Sequence, residues 1–278
     1  MTAIESTSQR TGRRCINAAA VLGMLYLFAP IVVIVIFSFN SPKGKFNISW
    51  QGFTLDNWAN PFAEKALTDA LFVSLRVAVV SSVIAAILGT MIALSLSRYR
   101  FKGSGAINLF LVLPLTSPEV VLGSSLATLF LSRGVDFGFT TVVIAHVMFQ
   151  VSFVAVTVRA RIRGFDWSLE QAAMDLGASP RRAFWRITFP LILPGVLAAW
   201  LLSFALSIDD FIITLFNAGS LTTFPLRIFG ASRVAIPPQI NVLASMLLFV
   251  SVGLMVLGLI IESRRQKMLA TGILRRKK

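Results

Sequence analysis

Ser168-Leu-Glu-Gln-Ala-Ala-Met-Asp-Leu-Gly-Ala-Ser-Pro180, running on to Pro190, lies between two long apolar runs. Ser168 stands three residues before Gln171, the spacing of a capping box, and Gly177 and Pro180 supply a stop, so the pattern predicts a short helix punctuated at both ends. Leu169, Ala172, Ala173 and Leu176 fall at i, i+3, i+4 and i+7 and form one stripe, with Glu170, Gln171 and Asp175 left off it. A second helix start follows, with Ser179 as its cap, Pro180 at the first helical position, and Arg181, Arg182 and Arg186 along it. The predicted helix is far too short to cross a bilayer. Its isolated stripe reads as a docking surface.

Composition places the remainder of the chain in a membrane. Mean hydropathy is +0.79, with 56% of residues hydrophobic and 14% charged, well under the roughly 25% charged share of soluble domains. Apolar runs at about 16–39, 70–97, 106–132, 138–158, 191–217 and 241–261 each approach or exceed the roughly 20 residues needed to span. The expected fold is therefore all-α and integral to the membrane, with six spans. Its predicted parts are an N-terminal cytoplasmic segment (1–15), a six-span domain (16–261) with a cytoplasmic loop at 159–190, and a basic tail (262–278). Arg10, Arg13 and Arg14 precede the first run as in a signal peptide, but the run is too long and lacks a small-residue cleavage site, so it reads as retained.

A net charge of +14 is compatible with nucleic-acid binding, but its distribution gives a better account. Most of the 26 Lys and Arg lie in the N-terminus, near 98–102, in 159–186 and in the tail ending Arg275-Arg276-Lys277-Lys278, while intervening loops are poor in them. That alternation follows the positive-inside rule and puts both termini and the 159–190 loop in the cytoplasm. No soluble basic patch interleaved with aromatics is present to carry nucleic acid.

Several chemistries are excluded by what the sequence lacks. Cys15 and His146 are each the sole residue of their kind, so one chain cannot build a disulfide framework or a Cys/His metal cluster. No Gly-x-x-x-x-Gly-Lys-Ser/Thr motif occurs, so ATP hydrolysis would have to come from a partner. No cofactor is expected. His146 falls inside the fourth run, where a hydrogen-bonded packing role is favoured over a proton relay, and its helical neighbours Phe149 and Gln150 bring no carboxylate. In the second run Ala85, Gly89, Ala93 and Ser97 recur every four residues, a small-residue face for close helix packing. Pro114 and Pro118 break the third, and Ser117-Pro118-Glu119 reads as a cap, a first helical residue and a first-turn acid.

Acids within spans cost about 2.5 to 3.5 kcal/mol each on insertion scales, which marks Glu119, Asp209 and Asp210 as candidates for a pathway. Successive helical residues diverge by roughly 100°, so one aspartate of the pair is expected to face the pathway and the other a neighbouring helix. Carboxylates without basic partners suit a cation, and Phe204, Phe211 and Phe216 in the same run could add cation–π contacts.

The 168–190 stretch resembles the EAA loop of permease subunits in ABC importers, at Gln171, Ala172, Ala173, Gly177, Ile187, Phe189 and Pro190. Gln171 stands where the family most often has Glu, with Glu170 one place earlier, and Phe189 stands for Leu. Pro118-Glu119-Val-Val-Leu-Gly, Leu206-Ser-Ile-Asp-Asp-Phe, Phe224-Pro-Leu-Arg-Ile-Phe-Gly and Pro238-Gln-Ile-Asn are similar to stretches of the spermidine/putrescine permeases. The resemblance implies a bacterial inner-membrane subunit of type I architecture that imports polyamines by alternating access. It implies pairing with a second permease, two cytoplasmic ATPases and an extracytoplasmic binding protein, the last meeting the loop at about 218–240. It also implies an ATPase-coupling surface at Glu170, Gln171, Ala172, Ala173, Asp175, Gly177, Ala178, Ile187 and Pro190, and a cargo pathway at Glu119, Asp209, Asp210 and Phe211. The alternatives are an ABC permease for another small solute, and a secondary transporter or channel, which would leave the capped cytoplasmic helix unused. An intramembrane enzyme lacks a nucleophile motif.

Overall fold

A computed structural model describes residues 7–99, 101–253, 256 and 260. The basic tail, the end of the sixth apolar run and Arg100 lie outside the described residues. In chain order the elements are α1 (Thr7–Phe37), α2 (Asp56–Ala59), α3 (Lys65–Arg98), α4 (Ser104–Thr116), α5 (Glu119–Ser132), α6 (Phe139–Ile162), α7 (Ser168–Asp175) and α8 (Pro180–Ala183). A π-helical turn (Phe184–Thr188) leads into α9 (Phe189–Asp209), followed by α10 (Ile212–Asn217), α11 (Phe224–Ala231) and α12 (Pro238–Gly253). No strand forms among the described residues, only two isolated bridges.

Four helical stretches are long and apolar enough to cross a membrane: Cys15–Phe37, Lys65–Arg98, Phe139–Ile162 and Pro180–Ile208. Together α4 and α5 are apolar enough for a fifth crossing, but they meet at 109°, the geometry of a broken span or a re-entrant loop. The sixth expected span is represented by α12, which is 16 residues long as described. The protein is a multi-pass, all-helical membrane protein.

Three expectations need correction. The fifth span does not run to 217: its helix ends at Asp209, the chain turns extended at Asp210, and α10 begins afresh. That helix also starts earlier than expected, at Pro180, so the second half of the 159–190 loop is continuous with the span. Pro190 and Pro194 lack the N–H groups of a regular α-helical ladder, and the π turn lies immediately before them. At the break before α5, Ser117 does not cap the new helix, because its hydroxyl donates backwards to the Leu113 carbonyl at 2.7 Å, and Pro118 occupies the cap position.

The chain divides into two compact units, residues 1–65 with 231–278, and residues 66–230. The first is tied by asparagines. Asn40 donates to Asn47 Oδ1 at 2.6 Å and accepts from the Gln51 N–H at 2.8 Å, while Asn57 donates to the carbonyls of Ser38 and Asn40. Phe39 stacks between Phe53 and Trp58, at 5.7 and 5.5 Å.

The second unit holds the sites described below. Ala85 and Ala93 of α3 join Val154, Val158 and Ile162 of α6 and Ile192 and Ala199 of α9 in one buried cluster. The small-residue face of α3 is what permits this approach. A Cβ on Gly89 would stand 2.6 Å from Val154 Cβ, so a larger residue would separate the two helices.

Candidate functional site

The first candidate is α7. Its start is set by Asp166 and not by a Ser168 capping box: Asp166 Oδ1 accepts the Ser168 N–H at 3.0 Å, and no side chain caps from the residue preceding the helix. The Ser168 hydroxyl and N–H together hold the exposed Asp166 carboxyl below its ordinary pKa. At the other end the chain closes in a Schellman motif, with Gly177 N–H on the Met174 carbonyl (2.9 Å) and Ala178 N–H on the Ala173 carbonyl (3.0 Å). Gly177 takes φ +86°, a left-handed conformation that favours glycine. Ser179 then caps the next helix by accepting the Arg182 N–H, with Pro180 first in the helix.

The apolar stripe of α7 faces outward. Leu176 is 90% exposed and Leu169 47% exposed, with Gln171, Ala172 and Asp175 exposed beside them. Pro190 is exposed, while Ala173, Ala178 and Ile187 are half-buried. Glu170 is the residue turned inward, 2% exposed. Its Oε1 pairs with Arg98 Nη2 at 2.9 Å and its Oε2 accepts from the Thr188 hydroxyl at 2.9 Å. A helix that buries Glu170 while presenting its leucines departs from the polarity of an ordinary surface helix, and exposed apolar area of this kind marks an interaction face.

The second candidate is a cavity of about 310 Å³ where two chain breaks meet the side of α6. Glu119 and Ser117 reach it from the bend between α4 and α5, Asp209, Asp210 and Phe211 from the break between α9 and α10, and Phe149 and Phe153 from α6. All four predicted pathway residues line it, and among the described residues no Lys or Arg does. Phe204 and Phe216 are elsewhere: Phe204 packs on Trp200 at 6.3 Å, and Phe216 lies against Gly123. Phe149 and Phe153 take their place, from α6, a helix that nothing in the local pattern links with the aspartates.

The two aspartates are separated by the end of the helix. Asp209 closes α9 and is exposed, whereas Asp210 is buried. Asp210 Oδ2 accepts the N–H of Thr214 at 2.8 Å and its hydroxyl at 2.7 Å, and lies 3.2 Å from His146 Nε2. His146 is 1% exposed, with Nδ1 2.7 Å from the Ser207 hydroxyl and Nε2 2.9 Å from that of Thr214. Ser207 in turn meets Ser81 at 3.2 Å, and Ser81 accepts from Gln150. The carboxylate absent from the helical neighbours of His146 is thus supplied across the bundle. Asn217 completes the setting of α10 by donating to the Gly123 and Ile213 carbonyls, while its own carbonyl accepts from Thr141.

An acid-lined cavity among apolar helices and an outward-facing apolar helix on one loop are features that a membrane transport subunit would use, and likeness to known proteins supplies the class. Residues 85–267 match the family described as the binding-protein-dependent transport system inner membrane component. Among relatives, the spermidine/putrescine transport system permease protein PotC of Haemophilus influenzae is 37% identical over 249 residues, covering 89% of this chain and 96% of that protein. The putrescine transport system permease protein PotI of Escherichia coli is 39% identical over 235 residues, covering 82% and 83%. A chain of a bacterial ABC transporter involved in the import of the acidic polysaccharide alginate shares the fold, with a TM-score of 0.68 at 14% identity over 92% of this chain and 98% of that one. The chain belongs to the binding-protein-dependent transport system inner membrane component family, and is a transport subunit of an ABC importer, not an enzyme.

Proposed function

We propose that this permease imports polyamines, and that Glu119, Asp209 and Phe211 line their pathway. The observation that carries the reading is the cavity, which gathers three carboxylates with no Lys or Arg on its wall among the described residues. A polyamine leaving water must exchange hydration at each ammonium for fixed acceptors, and its methylenes need apolar walls. Asp209 and Glu119 supply the first, and Phe149, Phe153 and Phe211 the second, with ring faces that also attract cations. Asp210 is already engaged by His146 and Thr214, so in this reading it orients the break that presents Asp209. The PotC and PotI names support the same cargo class.

ATP hydrolysis is assigned to separate chains, with the termini and α7 on their side of the membrane. The exposed Leu169, Ala172 and Leu176 seat against a cytoplasmic ATPase, in an importer completed by a second permease, two ATPases and an extracytoplasmic binding protein. ATPase closure displaces α7, and the spans alternate between outward and inward access. The test is uptake by the reconstituted complex across a panel of polyamines, amino acids and sugars. Polyamines are expected to be carried selectively and to stimulate ATP hydrolysis. Uptake of sugars or amino acids in preference to polyamines refutes the cargo assignment.

A further inference from the structure

A carboxylate does not enter a protein interior without partners, and Glu170 has two that belong to different spans. Arg98 is the last residue of α3, and Thr188 immediately precedes α9. One side chain of α7 therefore closes a three-way joint. Arg98 is steered toward it by Trp167, whose ring lies 5.7 Å below the guanidinium at the start of α7. Oε1 of Glu170 has no hydrogen bond besides its contact with Arg98, so that pair is all that satisfies it among the described residues.

The joint lies beside an open cleft of about 300 Å³, lined by Arg98, Tyr99, Trp167, Gln171 and Met174. On this side α7 borders the cleft, and Glu170 provides its side-chain polar contacts to α3 and to the π turn. Thr188 closes the π turn, a backbone segment wound more loosely than the helices it joins. Beyond that turn α9 runs without a break to Asp209 on the cavity wall.

We propose that Arg98, Glu170 and Thr188 are positioning residues that pass the displacement of α7 to α3 and α9, so that hydrolysis at the ATPase moves the far end of α9. The inference rests on the docking role given to α7 above. Glu170 is then an internal tie, and contact with the ATPase falls to the exposed residues around it.

The test uses the reconstituted importer and measures polyamine uptake and ATP hydrolysis together. Thr188→Val keeps the shape of the side chain and removes its hydroxyl, and Arg98→Gln removes the charge. Each is expected to lower uptake per ATP by about tenfold, the equivalent of one lost charge-assisted hydrogen bond, with hydrolysis and complex assembly retained. Arg98→Lys should recover much of the coupling. Unchanged uptake per ATP in both variants overturns the proposal, as does a parallel fall of uptake, hydrolysis and assembly, which is the mark of a merely structural contact. Leu176→Glu separates the two readings. If it leaves ATPase association intact, the docking role fails. If it releases the ATPase while Arg98→Gln and Thr188→Val stay fully coupled, only the joint fails.

Discussion

The two ends of α9 solve the same problem in the same way. At the end joined to the π turn, adjacent Glu170 and Gln171 of α7 part company: Glu170 is locked between Arg98 and Thr188, and Gln171 is left exposed. At the other end adjacent Asp209 and Asp210 do likewise, with Asp210 held by His146 and Thr214 and Asp209 left exposed in the cavity. In each pair one polar residue fixes the backbone and its neighbour is free to meet something outside the chain. A working surface made only of free polar residues would have no fixed geometry, and one made only of locked residues would have nothing to offer.

Removing a locked member should break this parallel most severely. Asp210→Ala leaves His146 and the Thr214 N–H and hydroxyl without their acceptor in a buried setting, at a cost of about 3–5 kcal/mol. Its expected outcome is loss of assembled permease, read by size-exclusion chromatography and thermal unfolding. Asp209→Asn should leave assembly intact and remove one charge-assisted contact worth about 1.5–3 kcal/mol, which lowers uptake at limiting polyamine by about tenfold or more. Equal effects of the two substitutions on assembly would contradict the division of labour between them.

Smaller effects should sharpen the comparison at the α7 end. Gly177→Val places a β-branched residue at φ +86°, where strain is of order 1–3 kcal/mol although the space around its Cβ is open. Hydrolysis should continue with reduced uptake, while Gly177→Asn, which tolerates this conformation, should transport nearly normally. Least of all, Asp166→Ala should loosen the first turn of α7, seen as faster hydrogen exchange at Ser168 with little change in uptake. Because the Asp166 pKa is lowered on folding, its contribution is present above the ordinary carboxylate value and is lost only as pH falls through the lowered one.

Much of this was legible in the residues. Gly177, Pro180 and Ser179 announced the end of α7 and the next start because capping chemistry is local, and Pro118 announced the break before α5 for the same reason. The three acids stood out because carboxylates are rare in apolar runs. Local reasoning failed where two local solutions compete. Asp166 and Ser168 are both good caps, and the chain used Asp166. Ser117 had a choice between capping forwards and bonding back to Leu113, and took the latter.

The sequence by itself determined a multi-span helical protein, the breaks in its helices and the residue types available at each break, because hydropathy, proline and glycine act over a few residues. Only the tertiary structure decided which acid of each neighbourhood is locked and which is free. That choice depends on Arg98, His146 and Thr188, residues remote in the chain whose polar atoms reach Glu170 and Asp210 only after α3, α6 and α9 have packed, and burial without such partners would be too costly to persist.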